Sequence, residues 1–350
     1  MVGFDKVTIK EFRLIVMGWK NKIYLSLITV IMIMANSSCT KEDMSNCKVV
    51  VGFIYDYNIL SANALENQAD QVNLYVFGED NILVQQCTSG SESLTNDFNM
   101  KLLGLKAGKY RFVAWAKSTK LSNEQADFKV PSFKVNVSSI NDLIYVLKRE
   151  SGIQQHELNN MLVGVTEAEI NYDKDLLNVS VNLKKVNHKI KIVILPVTPE
   201  AGLDVADYEF SVIDKSGNGR INYDYNVLPD EQIIYRPYYA ANLELDDIGI
   251  VEQQEINKAA VVEINTSRIM EANAPRLHIV KKANNKEIVS LNLPKLFSLT
   301  KMEDHREWSL QEYLDRQDSY TITLFFNNDT WMSGVIIING WVINEIEIDL

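Results

Sequence analysis

One thiol in this chain stands where its surroundings give it a definite chemistry. Residues 23–35 are thirteen consecutive apolar or small polar side chains, and they run straight into Asn36, Ser37, Ser38 and Cys39. A spanning helix needs roughly 20 apolar residues, so this run suits the hydrophobic region of a signal peptide, with Lys20 and Lys22 as its positive flank. A cysteine directly after two small residues is placed for a thioether-linked diacylglycerol once a lipoprotein signal peptidase cuts before it. The chain from Cys39 onward is then expected outside the cytoplasm, held to the outer membrane by lipid. The alternative is an ordinary secretory signal beside an unrelated cysteine, and Asn36, where such cleavage boxes usually carry Leu, is the departure that keeps it open. A start at Met17 would give a more usual signal length, which makes residues 1–16 an expected over-extension.

No other group is placed so clearly for chemistry. The sequence holds no Gly-x-Ser-x-Gly elbow, no phosphate-binding glycine loop, no His-Glu-x-x-His pair and no close Cys/His set. His156, His188, His278 and His305 lie far apart and read as surface or core residues. Asp315 with Asp318, and Asp246 with Asp247, read as acidic polar loops. A calcium loop from Asp214, Ser216 and Asn218 lacks the further carboxylates such a site requires, and a plain turn is the better reading. Tyr235, Tyr238, Tyr239 and Trp341 are candidate sugar-stacking rings, against the commoner role of core filler. The expectation is a non-enzymatic protein with no catalytic residues, metal or cofactor. Cys47 and Cys87 are left as a candidate disulfide in an oxidising compartment, or as small buried apolar residues.

Charge narrows the partners. Removing 1–38 takes away five basic and two acidic side chains, so a whole-chain charge of −11 becomes more negative still. An acidic protein of this kind is not expected on nucleic acid or on anionic lipid through a basic patch. No second long apolar run is present to form a transmembrane helix.

Period-2 alternation of β-branched and aromatic residues dominates what must position these groups, and amphipathic helical patterns are scarce. Strands are predicted over 48–57, 70–77, 108–116 and 142–147, with one short helix within 61–71 and a polar connection over 155–161. A second unit is predicted to begin with one or two strands over 176–194. It continues through 208–214 and 220–225, joined as a hairpin by 215–219, then 260–265, 276–281, 286–291, 319–326 and 334–343. The fold expected is all-β, two antiparallel β-sandwiches in series. The divisions expected are a signal peptide at 1–38, a lipidated tether at 39–47, an N-terminal sandwich at 48–175 and a C-terminal sandwich at 176–350.

Three stretches resemble one family. They are Cys47 to Asn58 with Gln71 to Phe77, then Gln311 to Ile322, then Trp331 with Ile336 to Trp341. These are similar to the lipid-anchored, fimbrillin-associated anchor proteins at the base of Bacteroidota type V fimbriae. The resemblance implies two transthyretin-like sandwiches, attachment of a fimbrial shaft to the outer membrane, termination of shaft growth, and no catalytic residues. Lys41, Glu42 and Asp43, just past the acylation site, resemble the export signal that sends some lipoproteins of that phylum to the cell surface. A solvated tether is the alternative.

The C-terminal residues supply a candidate docking element. Ile346, Ile348 and Leu350 alternate with Glu345, Glu347 and Asp349, the pattern of a strand that adds to a neighbour's sheet edge. Shaft pilins of the resembled fimbriae donate a C-terminal strand, so residues 341–350, with Trp341, Ile343, Ile346, Ile348 and Leu350, are the candidate donor to a shaft subunit. The competing expectation is an edge strand folded back on the protein's own second sandwich. Two rival functions remain: a surface glycan-binding lipoprotein of a polysaccharide-uptake system, and an accessory or tip adhesin subunit of the fimbria.

Overall fold

In the computed structural model, residues 48–89, 94–121, 128–171, 176–197, 203–244, 258–327 and 330–344 are described. Cys39, Lys41, Glu42, Asp43, Cys47, Ile346, Ile348 and Leu350 lie outside them, as do the signal peptide and tether. Among the described residues no helix is long and apolar enough to cross a membrane.

Strands come first in number and in role. The N-terminal half holds β1 (Lys48–Ile54), β2 (Gln71–Phe77), β3 (Leu83–Thr88), β4 (Asn99–Leu102), β5 (Gly108–Lys117), β6 (Phe128–Lys129), β7 (Ile144–Leu147), β8 (Ile153–Gln154), β9 (Met161–Ile170), β10 (Leu176–Asn182) and β11 (Lys184–Lys185). The C-terminal half holds β12 (Asn187–Pro196), β13 (Tyr208–Asp214), β14 (Arg220–Asn222), β15 (Ile233–Tyr235), β16 (Tyr239–Glu244), β17 (Lys258–Ser267), β18 (Arg276–Lys281), β19 (Lys286–Asn292), β20 (Ser319–Asn327), β21 (Thr330–Ile338) and β22 (Trp341–Asn344). Among the described residues three short α-helices interrupt them: α1 (Leu65–Gln68), α2 (Leu293–Ser298) and α3 (Leu310–Arg316). Asn292 caps α2, accepting from Lys295 N, and Pro294 sits in its first turn, where a missing N–H does no harm.

The expected all-β architecture is what the chain adopts. A three-stranded sheet, β10-β1-β4, faces a five-stranded sheet, β11-β9-β5-β2-β3. Val49, Val51 and Phe53 of β1 pack with Val72, Leu74 and Val76 of β2 and Phe112 and Ala114 of β5 in one core. The other face of the five-stranded sheet is covered too, and Val113, Trp115 and Val163 belong to a second core that runs on into the C-terminal half. A sheet covered on both faces reads as a continuous apolar run, which is why Phe112 to Ala116 shows no alternation. In that second core a six-stranded sheet, β16-β17-β12-β20-β21-β22, shares its buried face with a five-stranded one, β19-β18-β13-β15-β8. Ile190, Ile192 and Ile194 on β12 lie beside Tyr320, Ile322 and Leu324 on parallel β20, all fully buried. Each such side chain contributes roughly 1.5–3 kcal/mol by leaving water.

Three expectations are corrected here. Residues 176–182 do not start the second unit: β10 pairs in parallel with β1 along its whole length, and β11 pairs with β9. The change of sheets comes at Val186, between β11 and β12. Residues 208–214 and 220–222 are not a hairpin, because β13 pairs with β15 and β18 while β14 pairs with β7. The turn between them was legible, with Gly217 at φ +71°, but turn residues do not choose a strand's partner. Residues 334–343 are not one strand: Asn339 (φ 51°) and Gly340 (φ 84°) fold them into the β21–β22 hairpin. Both central residues at positive φ make the turn that matches strand twist, for which Asn-Gly is the favoured pair.

Candidate functional site

Two neighbouring constructions in the C-terminal part carry the site: a buried polar mount and an open sheet edge. The mount begins at Ser309, whose side chain accepts from Glu312 N and starts α3. Seven residues of helix then put Tyr313, Leu314 and Asp315 inside and Glu312 and Arg316 toward the rim, where they bond to each other at 3.0 Å.

Asp315 is not the loop carboxylate its sequence context indicates. It is 4% exposed and accepts two hydrogen bonds from Arg268, at 2.8 and 2.7 Å, plus one from Gln311 at 2.9 Å. The guanidinium lies 3.9 Å above the Tyr225 ring and donates to the Tyr225 carbonyl at 2.6 Å. A buried ion pair survives where further hydrogen bonds support both partners, and here Gln311 supports the carboxylate and the Tyr225 carbonyl the guanidinium. From it the network reaches the first sandwich. The Tyr225 hydroxyl donates to the Lys185 carbonyl at 2.7 Å, and Lys185 Nζ bonds Asp318 at 2.6 Å and Gln68 at 3.0 Å. Arg316 lies over the rings of both Tyr57 and Trp308, at 4.1 and 4.5 Å. The residues of the 311–322 stretch thus bind the two halves together.

His188 belongs to the same mount. It is fully buried, and its Nε2–H donates to the Leu314 carbonyl at 2.8 Å, which ties β12 to α3. Burial pushes its pKa below the ordinary value, so the ring is neutral.

β20 leaves this mount and pairs with β21, which pairs with β22 at Ile336↔Ile343 and Ile338↔Trp341. β22 ends the six-stranded sheet, and no described strand occupies its outer side. Of the candidate donor residues, Trp341 and Ile343 pair with β21 in the protein's own sheet. Ile346, Ile348 and Leu350 lie outside the described residues. Unpaired backbone N–H and C=O groups along an edge strand are a template for a further strand.

The other sequence candidates resolve separately. Asp214 is buried and accepts from Ser216 N, Gly217 N and Asn273 Nδ2, while Asn218 donates to the Arg268 carbonyl, so the three side chains share no common centre. Burial raises the Asp214 pKa despite those donors. Among the described residues no cluster of His, Cys, Asp and Glu could hold a metal. Tyr235 is fully buried and bonds Asn218, which removes it as a sugar platform, whereas Tyr238 is half-buried with its hydroxyl on Glu263 at 2.5 Å and Tyr239 is exposed. Cys87 is a half-buried thiol on β3 whose pKa burial raises, which makes it a poor nucleophile.

Sequence reasoning missed β9 and with it a groove of about 590 Å³ on the face of the β2, β3, β5 and β9 sheet that carries Trp115, beyond the part the second core covers. The alternation of Gln71, Asn73 and Tyr75 along β2 was the signal, because a polar side chain every second residue marks an uncovered face.

Comparison with known proteins bears on residues 44–347. A family model described as fimbrillin-A associated anchor proteins Mfa1 and Mfa2 matches residues 44–347. A solved structure of a candidate polysaccharide-binding protein from Bacteroides thetaiotaomicron is 29% identical at TM-score 0.71, covering 86% of this chain and 99% of that one. A candidate adhesin from the same organism is 26% identical at TM-score 0.73, with the same coverage. The fimbrial anchor protein Mfa2 from Porphyromonas gingivalis shares the fold at 16% identity and TM-score 0.61, covering 85% of this chain and 99% of that one. No curated protein matches.

Proposed function

This chain belongs to the fimbrillin-A associated anchor proteins, and from that membership we propose that it fixes a fimbrial shaft to the outer membrane and ends the shaft's assembly. The family is one of fimbrial anchors, not of enzymes, which gives the chain a fimbria-associated role at the cell envelope. The observation that carries the reading is the family match over 44–347, because it spans both sandwiches and the sheet edge together.

In this reading the N-terminus and the C-terminus do different work. Cys39 takes the acyl chains, two or three of which give stable membrane residence where one is marginal. Lys41, Glu42 and Asp43 direct the lipoprotein to the outside of the cell. The outer side of β22 and the residues after it meet the last shaft subunit by strand addition, with backbone hydrogen bonds supplying affinity and alternate side chains supplying specificity. The mount around Arg268 and Asp315 holds that edge in a fixed direction relative to the first sandwich.

Cell fractionation and co-purification test this. Cys39→Ala is expected to release the protein from outer membrane while it still co-purifies with the shaft subunit, and cell-attached fimbriae are expected to fall. Full retention in outer membrane after carbonate extraction would refute the lipid anchor. Normal attached fimbriae in a deletion strain would refute the anchoring role.

A further inference from the structure

The groove over the five-stranded sheet has a chemistry that anchoring does not use. Its floor is formed by side chains that point to one face: Gln71, Asn73 and Tyr75 of β2, Gln86 of β3, and Trp115 and Lys117 of β5. Toward the closed end of this face, Val113 and Val163 are buried under the 128–147 segment. At the open end polar amides replace apolar residues.

Its wall is aromatic: the Phe133 ring lies 5.3 Å from that of Tyr75, and both are half-buried. Trp115 lines the inner end, is 2% exposed, and its indole N–H has no hydrogen-bond partner. An unpartnered buried donor is costly by roughly 1–3 kcal/mol. The Gln71 and Gln86 side chains make no hydrogen bond within the protein's described residues, which leaves their donors and acceptors available.

We infer that this groove binds an oligosaccharide. A sugar ring presents an apolar C–H face and a rim of hydroxyls that both donate and accept. The first needs an aromatic ring and the second needs groups of both polarities, which amides supply and carboxylates do not. Among the described residues the lining contains no carboxylate and one cation, Lys117, which is not the composition of an anion clamp. A peptide strand is disfavoured by the backbone: β2 and β5 lie inside the sheet, their N–H and C=O groups already spent on neighbours, so a chain lying across their face gains no ladder. A groove of about 590 Å³ falls in the size range of small-ligand sites, roughly 300–1,000 Å³.

The inference goes beyond the anchoring role and does not depend on it. The full chain in detergent, screened on an array of defined neutral and uronic oligosaccharides, provides the test, with the strongest binder then titrated by calorimetry. Gln71→Ala with Gln86→Ala is expected to weaken that binder about tenfold or more, at about one hydrogen bond's worth per amide, with thermal unfolding unchanged. Gln86→Trp is expected to fill the groove and abolish binding while shaft co-purification persists. An array without any binder, or a binder whose affinity both variants leave unchanged, would overturn the assignment.

Discussion

Residues 309–344 contain two regions built on opposite plans. Around α3 polar groups are drawn inward and paired: Asp315 with Arg268 and Gln311, Asp318 with Lys185, and His188 Nε2 with the Leu314 carbonyl. Twenty-odd residues later β22 uses one side of its backbone for β21 and leaves the other without a described partner. The first region fixes direction and the second leaves valence unspent. A protein that must hold one thing rigidly while receiving another needs both, and the mount is useful only because the edge it orients is open.

The comparison breaks first at the ion pair. Asp315→Ala leaves Arg268 buried and unneutralised, and chemical denaturation is expected to show a loss of about 3–5 kcal/mol. A loss within about 0.5 kcal/mol, the ordinary range for surface substitutions, would mean the pair is a rim contact and the mount is not rigid. Removing residues 345–350 is the opposite case. Unfolding is expected to be nearly unchanged while co-purification with the shaft subunit is lost; a truncated protein that still binds, or one that unfolds, would take the docking role away from this edge.

A smaller effect separates the hairpin from the residues after it. Gly340→Ala places a Cβ at φ 84° and is expected to cost about 1–2 kcal/mol, enough to fray β22 without unfolding the sandwich. If shaft binding falls with it, β22 itself is part of the contact; if binding holds, the residues beyond Asn344 suffice.

The smallest effect is the most specific to the mount. The folded protein holds His188 below the ordinary pKa of 6.5, so the unfolded chain binds the proton more readily. Stability is therefore expected to be full above about pH 6.5 and to decline as the pH falls below it. His188→Gln should flatten this slope, measured by denaturation between pH 5 and 8, and an unchanged slope would move the titration to another group.

Sequence pattern alone determined the strands whose two faces differ. Tyr208–Asp214, Arg276–Lys281 and Lys286–Asn292 were legible almost to the residue, since alternation with an adjoining turn depends on local burial that each strand carries in its own side chains. It also held, unread, the Asn339-Gly340 turn and the polar face of β2. Partnership was settled by tertiary structure. Nothing within 176–182 states that its mate is β1, well over a hundred residues earlier, and nothing around Asp315 shows that Arg268 waits across the core. Backbone hydrogen bonds are alike at every residue, so a strand's partner is chosen by which pairing closes the most apolar surface over the whole chain. A carboxylate is likewise buried or exposed according to whether that closure brings it a cation.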